Sequence, residues 1–148
     1  MKMSSKFEQK LQTHLQKNGL KTTKQRKVIL DVFLKLGRHS TLEQILSAVQ
    51  KEMPKIGLAT IYRTMRLFVE AKIAHEQRFE DGLTRYEPFL EGEHHDHLIC
   101  TKCNAIFEFE DDIIEERQRM IAASYGMTII SHTLDIYGIC EECQQKTK

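Results

Sequence analysis

Several features that would define other kinds of protein are missing from this chain. Its opening segment, MKMSSKFEQKLQTHLQ, spreads charges and amides along its length and has no apolar run, so neither a secretory signal nor a spanning helix is expected there. The expected location is therefore the cytoplasm, without a membrane partner. No HExxH sequence and no nucleophile elbow occur, which counts against a zinc-dependent hydrolase. No internal repeat is visible, and the only biased stretch is the short polar tail Gln144–Lys148. Proline occurs twice, as Pro54 and Pro88, and cysteine four times. In a reducing cytoplasm four cysteines are metal ligands or redox groups rather than disulfide staples.

What is present is sharply divided. The net charge of the 148 residues is +1, but residues 1–86 hold 17 Lys and Arg against 8 Asp and Glu, whereas residues 87–148 hold 5 against 13. A basic half can contact phosphates by releasing counterions from DNA; an acidic half containing histidines attracts cations.

The basic half reads as helices followed by a ribbon. Phe7, Leu11 and Leu15 recur at four-residue spacing in a short helix over 6–17 that ends near Asn18-Gly19. Thr22 with Gln25 is a candidate capping box for a second helix, whose apolar stripe is Val28, Ile29, Val32, Phe33 and Leu36. Ser40 with Glu43 repeats that signal before a third helix, which Pro54 closes. A fourth, from about Leu58 to Ala71, buries Ile61, Met65 and Phe68 and shows Thr60, Tyr62, Arg63 and Arg66 outward. Ile73–Phe79 and Leu83–Glu87 then flank Asp81-Gly82, a dipeptide suited to a tight hairpin turn. The expectation is a winged helix over 1–87, a hinge over 88–93, and a small α/β dimerisation domain over 94–148, making the whole α+β. In the last segment His97–Cys100 and Ala105–Phe109 read as strands, Asp111–Tyr125 as a helix, and Met127–Tyr137 as a long strand.

A recognition helix in the major groove needs small residues where it meets the backbone and donors on its outer face. Gly57, Ala59 and Thr60 supply the first, and Tyr62, Arg63 and Arg66 the second. Lys21, Lys24 and Arg26 lie where a helix N-terminus favours a phosphate. The alternative is an ordinary amphipathic helix with a solvated face; the wing and the local positive charge favour DNA.

Cys100-Thr-Lys-Cys103 and Cys140-Glu-Glu-Cys143 are two CxxC pairs separated by 36 residues. Two such knuckles complete the tetrahedron that zinc accepts, and a closed four-sulfur site is a scaffold rather than a catalyst. The rival is a pair of reducible dithiols. Glu93-His94-His95-Asp96-His97 places three imidazoles and two carboxylates in five residues. On an extended strand His95 and His97 point one way and His94 and Asp96 the other, so one segment can feed two metal sites.

The stretch GLATIYRTMRLFVEAKI resembles the recognition-helix signature of the ferric uptake regulator family, and the likeness runs from about Phe7 to Cys143. It implies a dimeric, metal-dependent repressor of transcription that binds a double-stranded operator, with tetramers of paired dimers left open. By position it assigns base contact to Tyr62, a DNA hold to Arg63 and minor-groove reach to Lys21; Thr60 joins these as a candidate. It implies a sensing site of His39, Glu87, His95, His97 and Glu108, and a second site of His94, Asp96, Glu115 and His132. His14 and His75 are left as surface residues. The chain departs from the family at Asn104, where glycine is usual, and in the loop PFLEGE, which is a residue longer and could move Glu87 away from the site. Nitrogen and oxygen donors suit iron(II) or manganese(II), with zinc as a substitute, and no fifth cysteine is present for a softer zinc-sensing site. Iron sensing and control of iron uptake come first. A peroxide sensor, whose members usually carry Asp at the position of Glu87, comes second, and a zinc sensor or a plain metal store after it.

Overall fold

Apolar spacing builds the first half of the molecule from the inside out. The computed structural model describes residues 2–90 and 94–146, with side chains from residue 4, so residues 91–93, the second half of the expected hinge, lie outside the described residues. The chain divides into two compact units, residues 1–91 and 92–148.

In the first unit α1 (Lys2–Lys17) presents Phe7, Leu11 and Leu15 to a core shared with α2 (Lys24–Leu36), α3 (Leu42–Gln50) and α4 (Leu58–Glu70). Ile29, Ile45, Ile61, Met65 and Phe68 are wholly buried there, and the Phe33 and Phe68 rings meet at 6.4 Å. Each such side chain contributes roughly 1.5–3 kcal/mol by leaving water. Both expected caps move by one residue, and only the second forms a box. Thr23, not Thr22, caps α2 and accepts from the Arg26 amide; Thr41 with Gln44, not Ser40 with Glu43, forms the box of α3.

Ser40 has another use. With Thr41 it forms β1 (Ser40–Thr41), which adds a third strand to the expected hairpin of β2 (Ala74–Arg78) and β3 (Thr84–Pro88). The order is β1-β3-β2, all antiparallel, with Ser40 opposite Tyr86 and Thr41 opposite Arg85. At the wing tip Gly82 takes φ 80°, and the Asp81 carboxylate accepts from the Leu83 amide at 2.9 Å. Helices followed by this ribbon make a winged helix.

The second unit is a three-stranded sheet, order β5-β4-β6, of β4 (Asp96–Cys100), β5 (Ile106–Phe109) and β6 (Asp135–Gly138), together with α5 (Asp112–Ser124) and α6 (Glu141–Lys146). β4 is antiparallel to β5 and parallel to β6. The expected long strand over 127–137 is shortened to its last residues, because β4 is only five residues long and offers no partner before Asp135. Asp111 caps α5 by accepting from the Ile113 and Ile114 amides at 2.9 and 3.1 Å. Within one chain α5 buries no residue.

Candidate metal centres and nucleic-acid face

The four cysteines converge. Cys100 ends β4, Cys103 follows in the turn, and Cys140 and Cys143 lie at and within the start of α6. Their sulfurs all lie within 4.8 Å of one another, with Cys103 and Cys140 at 3.7 Å. A tetrahedron with metal–sulfur bonds of about 2.3 Å has edges of about 3.8 Å, so the four sulfurs fit zinc. The Cys140 amide donates to the Cys100 sulfur at 3.4 Å. Donation from the Cys103 and Cys140 amides holds the Cys100 thiol down at about 6. The Cys140 thiol, then burial, pushes Cys143 up to about 12. Cys103 is also raised: the Ala105 amide favours its thiolate, but the Cys100 thiol, burial and the Cys140 thiol outweigh it. Asn104, at φ 62°, adopts the left-handed conformation that lets its amide reach the Cys100 carbonyl at 2.9 Å, so the knuckle closes without glycine.

A second set lies between the start of β4, α5 and the segment before β6. His94 Nε2 is 3.0 Å from Asp96 and 3.3 Å from Glu115, and His132 Nε2 is 3.2 Å from Glu115. Asp96 is completely buried, and its Oδ2 has no hydrogen-bond partner among the described residues. A buried carboxylate oxygen left in that state is costly unless a cation meets it. Two imidazoles and two carboxylates suit a divalent ion with borderline or hard preferences.

The remaining five candidates divide between the units. In the first, pairing of Ser40 with Tyr86 brings His39 beside Glu87, with Nε2 and Oε2 3.6 Å apart. His39 has φ 29°, a strained backbone for a non-glycine residue, of the kind that tends to collect at functional positions. In the second unit the ladder sets His97 opposite Glu108 on β5 and Asp135 on β6. His95 Nε2 lies 4.0 Å from Glu108, and His97 Nδ1 lies 3.3 Å from Asp135. Asp135 was not foreseen. It fixes the ring that carries the donor, an orienting role common beside metal-binding histidines, and only knowledge of the β4–β6 pairing could have revealed it.

On α4, Tyr62 is 44% exposed and Arg63 is fully outward, whereas Thr60 is half-buried. Arg66 donates to the Tyr62 hydroxyl at 3.4 Å, and the Thr64 hydroxyl donates to the Thr60 carbonyl at 2.8 Å. Lys21 is exposed just ahead of α2, and its carbonyl accepts from the Arg26 guanidinium. His14, by contrast, lies 4.0 Å from Glu70 and is half-buried, while His75 is exposed.

A winged helix joined to a unit carrying metal-donor sets defines a metal-responsive regulator of transcription. Residues 17–137 match the sequence profile of the ferric uptake regulator family. A ferric uptake regulation protein of Bordetella parapertussis is 43% identical over 135 residues, covering 90% of this chain and 96% of the relative. The solved Helicobacter pylori ferric uptake regulator, described as having three functional metal-binding sites, superposes with a TM-score of 0.89 at 30% identity over 95% of this chain and 93% of its own. A Campylobacter jejuni peroxide stress regulator is also similar, at 25% identity and a TM-score of 0.65 over 91% and 97%. The chain belongs to the ferric uptake regulator family. Among the described residues no helix is long and apolar enough to cross a membrane.

Proposed function

We propose that this protein is a cytoplasmic, homodimeric repressor that senses iron(II) and controls iron-uptake genes, acting as a binding protein and not as an enzyme. The observation that carries the reading is that donors of the same kind occur in both units: His39 faces Glu87 in the basic unit, and His95 faces Glu108, beside His97, in the acidic one. These five donors would together hold iron(II), with manganese(II) or zinc as substitutes. In sharing it, the donors would tie the winged helix to the pairing unit and restrict how two recognition helices face a duplex. Moving a dimer from mostly incompetent to mostly competent takes a differential affinity of roughly 5 kcal/mol.

Lys21, Thr60, Tyr62 and Arg63 read or hold the operator. Cys100, Cys103, Cys140 and Cys143 hold a structural zinc, and His94, Asp96, Glu115 and His132 a second divalent ion. The homodimer is supported by Ile113, Met120, Ile121 and Tyr125 of α5 and its end, which are 74, 52, 55 and 80% exposed in one chain. A second copy is the partner that covers such a face.

The test is a gel-shift titration of zinc-retaining, otherwise metal-stripped protein with iron(II) under anaerobic conditions. DNA retention should rise with iron, and His97→Ala should abolish that rise while the protein stays folded. Equal retention with and without iron rejects the reading. A peroxide sensor is the second reading, favoured by the likeness to the Campylobacter regulator. Glu87 opposes it, since peroxide sensors usually carry Asp there. Low peroxide applied to the iron-loaded protein separates the two: prompt addition of oxygen to peptides carrying His39 or His95 marks the peroxide sensor.

A further inference from the structure

Arg85 occupies a position that an apolar residue would fill at lower cost. It is the second residue of β3, opposite Thr41 and Gln77, and only 7% of it is exposed. Its Nη2 donates to Asp81 at 2.8 Å, and its guanidinium lies over the Phe79 ring at 5.3 Å. Its Nη1 is buried without a hydrogen-bond partner among the described residues. A buried guanidinium satisfied at one end only is a poor device for stability. What it does supply is a rigid, flat connection between a carboxylate and an aromatic face.

Both ends of that connection lead somewhere. Asp81 shapes the wing tip, since its other oxygen accepts from the Leu83 amide at 2.9 Å. On the other side, Phe79 is buried and meets the His39 ring edge-on, at 6.2 Å and 69°. His39 in turn faces Glu87 at 3.6 Å. Because β-strand side chains alternate, Arg85 and Glu87 share one face of the wing sheet, while Tyr86 between them enters the core. An unbroken series of contacts therefore runs from the wing tip to a candidate metal half-site, all within the first unit.

We propose that Arg85 is a positioning residue that transmits metal capture at His39 and Glu87 through Phe79 to Asp81, so that the half-site sets the conformation of the wing tip. The inference rests on the reading of His39 and Glu87 as sensing-site ligands. Capture restrains the His39 ring, the ring edge bears on Phe79, and Arg85 carries the restraint to the turn at Asp81-Gly82. The wing tip is then held more tightly when the half-site is engaged. Such a link is a coupling between two places and is measured as one.

The experiment is amide hydrogen exchange at Gly82 and Leu83 in the full-length, zinc-loaded protein, with and without manganese(II). In the wild type, manganese should slow exchange at these amides by about tenfold. Arg85→Met keeps the packing of the stem but removes the charge and the flat donor group. It should cut the slowing to less than about twofold, while manganese affinity changes by less than about threefold. Arg85→Lys should restore the protection only in part, since ammonium keeps the charge and loses the stacked, planar contact. Asp81→Asn attacks the same link from an exposed turn, and should reproduce the loss even if Arg85→Met fails to fold. Protection that is lost in His39→Ala but kept in Arg85→Met and Asp81→Asn overturns the relay alone. Protection that survives in His39→Ala overturns the sensing-site assignment and the relay with it. A wild-type wing tip unaffected by bound manganese also refutes the proposal.

Discussion

Cys100 and Cys143 share one cluster, yet their proton affinities are driven apart. Amide donation holds the first near 6, and the neighbouring Cys140 thiol and burial lift the second to about 12. At neutral pH, therefore, Cys100 is a thiolate, while Cys103 and Cys143 keep their protons until a cation displaces them. Zinc affinity should rise with pH across the neutral range, and the rise should steepen below about 6, where Cys100 also has a proton to lose. Competition with a coloured chelator at a series of pH values checks this; a flat profile contradicts the assignment. The pairing of two CxxC motifs was legible because the chemistry lies in the spacing itself. Of the partners of His97, Glu108 came only from the family likeness and Asp135 not at all, because both reach it through strand register, which no local pattern records.

Thr41 shows how an element can be legible while its boundary is not. The sequence offers two adjacent hydroxyls before α3, Ser40 and Thr41, and two before α2, Thr22 and Thr23; in both places the second is the cap. Local preference cannot separate such neighbours, because Ser40 is diverted only by its pairing with Tyr86 across a two-residue strand. Thr41→Ala removes one half of a reciprocal box and should destabilise the winged-helix unit by about 1 kcal/mol, readable as a lowered denaturation midpoint. Ser40→Ala leaves the box intact, so the larger loss should follow Thr41. A reversed order would mean that the capping geometry is not the one that matters. The four long helices were visible from apolar spacing. The strand expected over 127–137 survives only at its end, because its apolar residues Met127, Ile129 and Ile130 are exposed rather than paired, at 68, 37 and 98%. Alternation alone cannot say whether an apolar side chain finds a strand or a surface.

The molecule as a whole separates two tasks by charge and by packing. The basic unit buries a full core by itself, whereas α5 of the acidic unit buries nothing within one chain. Met120→Glu should therefore leave the winged helix folded and turn the proposed homodimer into monomers, seen as a halved mass in sedimentation. A dimer of unchanged mass would locate the contact elsewhere. Stripping zinc, or Cys103→Ser, should loosen the sheet that carries His97 and so weaken iron binding at a distance, read as a lost iron response with the first unit's helices retained.

The bare apolar surface of α5 has a consequence for the living cell. In the homodimer proposed above, protomers that must find one another obey mass action, so the number of assembled regulators falls faster than the number of chains when growth dilutes them. Abundance is then a second signal beside the metal: a sparse population of chains leaves promoters open even when the ion is plentiful.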